Sequence, residues 1–125
     1  MFEQVQGKVD VSGQAKFIAN VASDGGAMHV VRAHPGSVMN INGYYEKNVA
    51  YEFGWGSRGG ALRIQNVEGT VNIDGTYFKN SAPVNRGGVI AVNRFYAGGT
   101  MYIRGTYKYN VAGATGGMLH CAVHG

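Results

Sequence analysis

Four short segments of this chain are variants of one another: "FIANVA" at 17–22, "YEKNVA" at 45–50, "YFKNSA" at 77–82 and "YKYNVA" at 107–112. Each is an aromatic residue, then an Asn three positions on, then an Ala two positions after that. A glycine pair follows every one: Gly25-Gly26, Gly59-Gly60, Gly87-Gly88 and Gly116-Gly117. Beyond each pair comes an alternating stretch ("AMHV", "ALRI", "VIAV", "MLHC"), and ahead of each aromatic another ("VDVSG", "MNING", "VNIDG", "MYIRG"). Gly7, Gly36, Gly69 and Gly99 open the latter, and Gly125 stands where a fifth would be. Repetition of this kind marks a repeat architecture, and the unit must be read before anything else.

The Asn are 28, 32 and 30 residues apart, and the variation falls mainly between Asn and the glycine pair, where 4, 10, 6 and 5 residues intervene. A fixed unit with one variable joint is a structural repeat with a loop on one side. Period-2 alternation excludes a helical repeat. About three strands of about five residues in each unit, separated by Gly or Asn, predict one coil of a parallel β-helix. The left-handed hexapeptide form has a much shorter period, so the expected fold is all-β, a right-handed parallel β-helix of about four coils. The coils fall at 7–35, 36–68, 69–98 and 99–125, within one domain spanning 1–125. The domain is expected to be a segment of a longer protein or filament, because no cap is visible at either end of the stack.

Each recurring residue has a place in this model. Val9 and Val11, Met39 and Ile41, Val71 and Ile73, and Met101 and Ile103 point inward and stack. So do Met28 and Val30, Leu62 and Ile64, Ile90 and Val92, and Leu119 and Cys121. Phe17, Tyr45, Tyr77 and Tyr107 form a third internal column. Coils lie about 4.8 Å apart, so like residues touch. Asn20, Asn48, Asn80 and Asn110 are expected at inward corners, bonded amide to amide and themselves adopting the left-handed backbone a tight corner needs. Glycine serves where a Cβ would collide.

The paired motifs, aromatic-x-x-Asn-x-Ala followed by Gly-Gly-Ala-[Met/Leu], resemble the F-x-x-N and G-G-A-I repeats of the chlamydial polymorphic outer-membrane proteins. The resemblance runs from about Gly7 to the end of the sequence. It implies a secreted or surface-displayed module, extracellular or at the cell surface, with an adhesive or scaffolding role.

Composition narrows the partners. Charged residues are 14% and the net charge is +4. The Lys and Arg are scattered without a run of three, so no nucleic-acid partner is expected. No apolar run approaches the ~18 residues of a membrane helix, so no direct membrane insertion is expected. Met1 is followed by no apolar segment of signal-peptide type. A single Cys cannot form an internal disulfide. The expected partners are other protein subunits or flanking β-helical coils, and cell-surface glycans or proteins.

Right-handed β-helices include pectin lyase-like enzymes, which need clustered acids. In the register above Asp10 shares a column with Asn40, Asn72 and Tyr102, and Asp74 with Ser12, Asn42 and Arg104. Neither column brings two carboxylates together, and Asp24 aligns with Arg58 as a cross-coil ion pair. No catalytic residue, cofactor or metal is therefore assigned. His29 and His120 share an outward column with Arg63 and Ala91 between them, and these two with His34 and His124 read as solvated surface residues. Cys121 reads as a small, inert core residue. Thr70/Thr100 and Thr76/Thr106 stack in pairs too short for an ice-binding array. The calcium-binding G-G-x-G-x-D repeat is missing.

The longest joint, Val49–Arg58, carries Tyr51, Phe53 and the only Trp, Trp55, beside Arg58. Aromatic residues next to Arg suit a sugar or protein surface, so Tyr51, Phe53, Trp55 and Arg58 are the candidate partner contact. The expected function is a non-enzymatic extracellular structural or adhesive module that stacks end to end or sits within a longer surface protein. The alternatives are a subunit of an extracellular filament and a polysaccharide-processing enzyme.

Overall fold

The protein is a parallel β-solenoid. The computed structural model describes residues 2–23, 25–51, 59–84, 86–113 and 117–121, and among them there is no helix. Four parallel sheets run along the stack. The first and longest holds Phe2–Val5, Met28–Ala33, Leu62–Val67, Ile90–Phe95 and Leu119–Cys121. The second holds Lys8–Val11, Val38–Ile41, Thr70–Ile73 and Thr100–Ile103. A third, the aromatic sheet, holds Lys16–Ile18, Tyr44–Glu46, Thr76–Phe78 and Thr106–Lys108, and a corner sheet holds Val21–Ala22, Val49–Ala50, Ser81–Ala82 and Val111–Ala112.

The sequence pattern predicts three strands per coil; the structure has four. The aromatic and the Ala of each repeat lie on separate strands of only three and two residues. Segments so short carry no readable alternation.

The inward columns take the expected register. Val9, Met39, Val71 and Met101 pair in sequence along the second sheet, as do Val11, Ile41, Ile73 and Ile103. In the first sheet Met28, Leu62, Ile90 and Leu119 form one column, and Val30, Ile64, Val92 and Cys121 the next. Burying each Val, Ile or Leu removes apolar surface from water worth about 1.5–3 kcal/mol. The residue after Val30, Ile64 and Val92 drops out of the pairing, and the strand resumes with Arg32 opposite Asn66. A bend inside the strand thus turns Ala33, Val67 and Phe95 back toward the core.

Glycine is required where coils touch backbone to backbone. A Cβ on Gly26, Gly60 or Gly88 would overlap the carbonyl oxygen of the next glycine in that column. At the turn between the second and aromatic sheets, Gly43, Gly75 and Gly105 have φ of 116°, 101° and 103°, the left-handed region that favours glycine. The first coil carries two extra residues here, and the carbonyl of Ala15, not Gly13, accepts from Tyr44 N–H at 2.8 Å.

Candidate functional site

The corner Asn build an internal ladder in which every bond is specified. Asn20 Nδ2 donates to Asn48 Oδ1 at 2.9 Å, Asn48 Nδ2 to Asn80 Oδ1 at 2.9 Å, and Asn80 Nδ2 to Asn110 Oδ1 at 3.1 Å. Each Oδ1 also accepts the backbone N–H of the preceding Asn, at 3.2, 3.0 and 2.9 Å. The second Nδ2 hydrogen goes to the carbonyl of the aromatic one coil back: Asn48 to Phe17 O, Asn80 to Tyr45 O and Asn110 to Tyr77 O. Asn48 and Asn80 are fully buried, and both of their donors and both acceptor sites are used. A carboxylate has no donor for this arrangement, and a longer amide overshoots it.

The left-handed backbone belongs to the residue before each Asn. Ala19, Lys47, Lys79 and Tyr109 have φ between 55° and 57°, which corrects the expectation that Asn adopts it. This kink turns the backbone so that the Asn N–H meets a side-chain oxygen instead of a carbonyl. A non-glycine residue there carries strain of about 1–2 kcal/mol, offset by an amide ladder with no unmade bond in the inner coils.

Behind the Asn stand the aromatics, stacked face to face. Ring centroids are 4.8 Å apart for Phe17–Tyr45, 4.6 Å for Tyr45–Tyr77 and 4.9 Å for Tyr77–Tyr107, with planes within 8°. Tyr45 and Tyr107 donate their hydroxyls to Asn42 O and Arg104 O, three residues earlier. The buried Tyr77 hydroxyl has no such partner. Burial pushes the pKa of all three tyrosines up, and that of Tyr107 to about 12, with Asp74 adding to the effect.

A second amide ladder runs on the outer face with the opposite polarity. Asn72 Nδ2 donates to Asn40 Oδ1 at 2.8 Å, and Asn40 Nδ2 to Asp10 Oδ1 at 2.7 Å. The hydrogen bond from Asn40 is the main reason the Asp10 carboxyl lies below its ordinary range, with Lys8 Nζ at 3.4 Å assisting. The sequence places Asp10, Asn40, Asn72 and Tyr102 in one column, and the pairing register does the same. What spacing alone did not give was the direction of the bonds. Asp74 and Arg104 follow the next paired residues, Ile73 and Ile103, on neighbouring coils.

Other residues depart from expectation. Cys121 keeps its inward register, yet it is exposed, because no described residue covers that face. Desolvation still pushes its thiol pKa up. His29 and His120 are half-buried, each engaged with neighbours, and not solvated. Desolvation lowers the pKa of His120, with Arg86 adding to it. Arg63 and Ala91 do separate them in the column. His34 Nε2 meets Gln4 Oε1. Arg32 grips Glu68 with two hydrogen bonds, 2.7 and 3.2 Å, a pair the sequence reading missed because the partners are 36 residues apart and off column. Tyr51 is exposed, with its N–H donating to Ala22 O at 3.1 Å. Phe53, Trp55, Arg58, Asp24 and His124 lie outside the described residues.

The ends of the stack differ from its middle. Asn110 spends one Nδ2 hydrogen on Tyr77 O. Its N–H and second Nδ2 hydrogen have no acceptor among the described residues, whereas the equivalent groups of Asn80 are both bonded to Asn110. At the other end Asn20 Oδ1 accepts from no described residue, whereas Asn48 Oδ1 accepts twice. Phe17 and Tyr107 close the aromatic column half-buried, while Tyr45 and Tyr77 are fully buried.

No family model, curated protein or solved structure gives a match to this chain.

Proposed function

We propose that the protein is a non-enzymatic structural and adhesive module, displayed outside the cell or at its surface, whose end faces receive further coils of the same repeat. The observation that carries this reading is the complementarity of the two ends. Among the described residues, Asn110 presents two unused N–H donors where Asn20 presents an open carbonyl acceptor, and Tyr107 O lacks the Nδ2 donor that Phe17 O, Tyr45 O and Tyr77 O each receive. Setting an Asn20-type coil over Asn110 makes three hydrogen bonds, and the same shift lays a Phe17-type ring over Tyr107. Strand edges on both end coils that pair with no described residue add the backbone part of the contact.

Such joining is head to tail and does not close, so copies of this chain give an extended assembly. Placement outside the cell rests on the resemblance of the repeat to surface-displayed β-helical proteins. The non-enzymatic reading draws support from two of the acids: Asp10 is held by Asn40 and Lys8, and Glu68 by Arg32. Sedimentation velocity over a range of concentrations tests the end faces. The wild type is expected to grow into larger species. Asn110→Asp, which still accepts from Asn80 but sets a carboxylate against the Asn20 oxygen, is expected to stay small. A wild-type monomer at every concentration overturns the self-stacking part of the proposal.

A further inference from the structure

We infer that the outer face of the second sheet carries a binding site for a neutral glycan, centred on Tyr102, Asn72, Asp74 and Arg104. These residues line a groove of about 310 Å³. That is near the lower end of small-molecule sites, roughly 300–1,000 Å³, and has room for one or two sugar rings.

The chemistry of the lining argues for hydroxyl groups. Asn72 spends an Nδ2 hydrogen on Asn40, and its Oδ1 accepts from no described residue. Asp74 uses one carboxylate oxygen to accept Gly75 N–H at 2.8 Å, and the other meets no hydrogen-bond donor among the described residues. Arg104 sits in the same column one coil on, and no ion pair joins it to Asp74 or to any other described residue. An open carboxylate oxygen, an open guanidinium and an open amide oxygen thus face one groove as acceptor, donor and acceptor. Vicinal hydroxyls both give and take hydrogen bonds, and bonds to charged partners are about twice as strong as neutral ones. Tyr102 supplies the apolar surface for the C–H face of a sugar ring. It is 52% exposed although its column neighbours on the sheet are small amides, and a ring of this kind offers contact area with little conformational freedom to lose.

Charge decides between sugar classes. A uronate or sulfate would be drawn to Arg104 but pressed against Asp74 one coil away, so the pair selects uncharged rings. A second groove, lined by Gln65, Asn66, Asn93 and Arg94, has polar groups but no aromatic ring, and it serves as an internal contrast. This inference does not depend on end-to-end stacking, since the groove lies on the side of the solenoid and its readout is ligand contact.

The test is saturation-transfer NMR and titration of the whole chain with neutral disaccharides (cellobiose, lactose, chitobiose) and, in parallel, with digalacturonate. At least one neutral disaccharide is expected to bind with a Kd on the order of 1 mM. Tyr102→Ala is expected to weaken it about tenfold or more, and Arg104→Gln to weaken it to a smaller extent, with unchanged circular dichroism in both. Tyr102 and Arg104 are exposed, so neither change threatens the core. The inference is overturned if no neutral sugar binds, if only digalacturonate binds, or if Tyr102→Ala, still folded, binds as the wild type does.

Discussion

The two inner coils and the two end coils are built from the same repeat, yet they are not equally finished. Tyr45, Tyr77, Asn48 and Asn80 have no exposed surface at all. Their counterparts Phe17, Tyr107 and Asn110 are half-covered, and Asn20 is exposed. Nothing in the local sequence distinguishes these groups. The difference comes from position, because an inner rung has a neighbour on each side and an end rung has one. In a solenoid, stability is a sum of unit terms and neighbour terms, so one side chain has two values depending on its coil.

Replacing matched aromatics is the strongest way to break that statement. Tyr77→Ala opens a void between two stacked rings and is expected to destabilise by about 3–5 kcal/mol. Tyr107→Ala removes a ring stacked on one side only, for roughly 1–2 kcal/mol. Equal losses in denaturant titrations would mean that the end coil is as well covered as the middle. Tyr77→Phe sharpens the same test. The Tyr77 hydroxyl is buried without a partner, so removing it is expected to leave stability unchanged or raise it by up to about 1 kcal/mol. Tyr45→Phe, which deletes a hydrogen bond to Asn42 O at 3.0 Å, is expected to lose stability.

The Asn ladder gives the next largest contrast. Asn80→Ala strips the partners of Asn48 N–H, of one Asn48 Nδ2 hydrogen and of Tyr45 O, and removes one of the two donors to Asn110 Oδ1. A loss of about 1–3 kcal/mol is expected, the cost of leaving buried polar groups unsatisfied. Asn20→Ala frees only the Oδ1 of Asn48 from its side-chain donor, at a solvent-exposed rung, and is expected to cost under about 0.5 kcal/mol. Matching melting temperatures for the two variants would remove the distinction between inner and end rungs.

Much of this is legible in the sequence. The inward columns, the aromatic stack and the Asn ladder follow from aligning four copies, because a side chain that touches its own kind in the next coil leaves a repeated letter. Residues that face water leave none. Ala19, Lys47, Lys79 and Tyr109 share one strained conformation but no side-chain type, so the corner was misassigned to the Asn beside them. The two-residue strands were invisible for want of alternation, and the Arg32–Glu68 pair because it joins different columns. The groove beside Tyr102 was half legible: its column of Asp10, Asn40, Asn72 and Tyr102 could be aligned, but the bond direction that leaves Asn72 Oδ1 open is a three-dimensional fact.

The smallest expected effect is electrostatic, and it again sets an inner coil against an end coil. Glu68 lies below its ordinary 4.5 chiefly through the hydrogen bond from Arg32, and Asp10 below its ordinary 3.8 chiefly through that from Asn40. A carboxylate held low in the folded state binds fewer protons there than in the unfolded chain. Its stabilisation is therefore complete above the ordinary value and is lost as pH falls through the folded one. Both contributions should fade in acid, below the 4.5 and 3.8 of the free groups. The Glu68 side chain is 19% exposed and that of Asp10 56%, so water and salt screen the end-coil group more. Glu68→Gln is accordingly expected to flatten the acid slope of the melting temperature, and Asp10→Asn to flatten it less, with added salt shrinking the Asp10 share first. If Glu68→Gln retained the full wild-type slope, the Arg32 pair would carry none of the acid sensitivity, and the inner coil would hold no electrostatic advantage over the end.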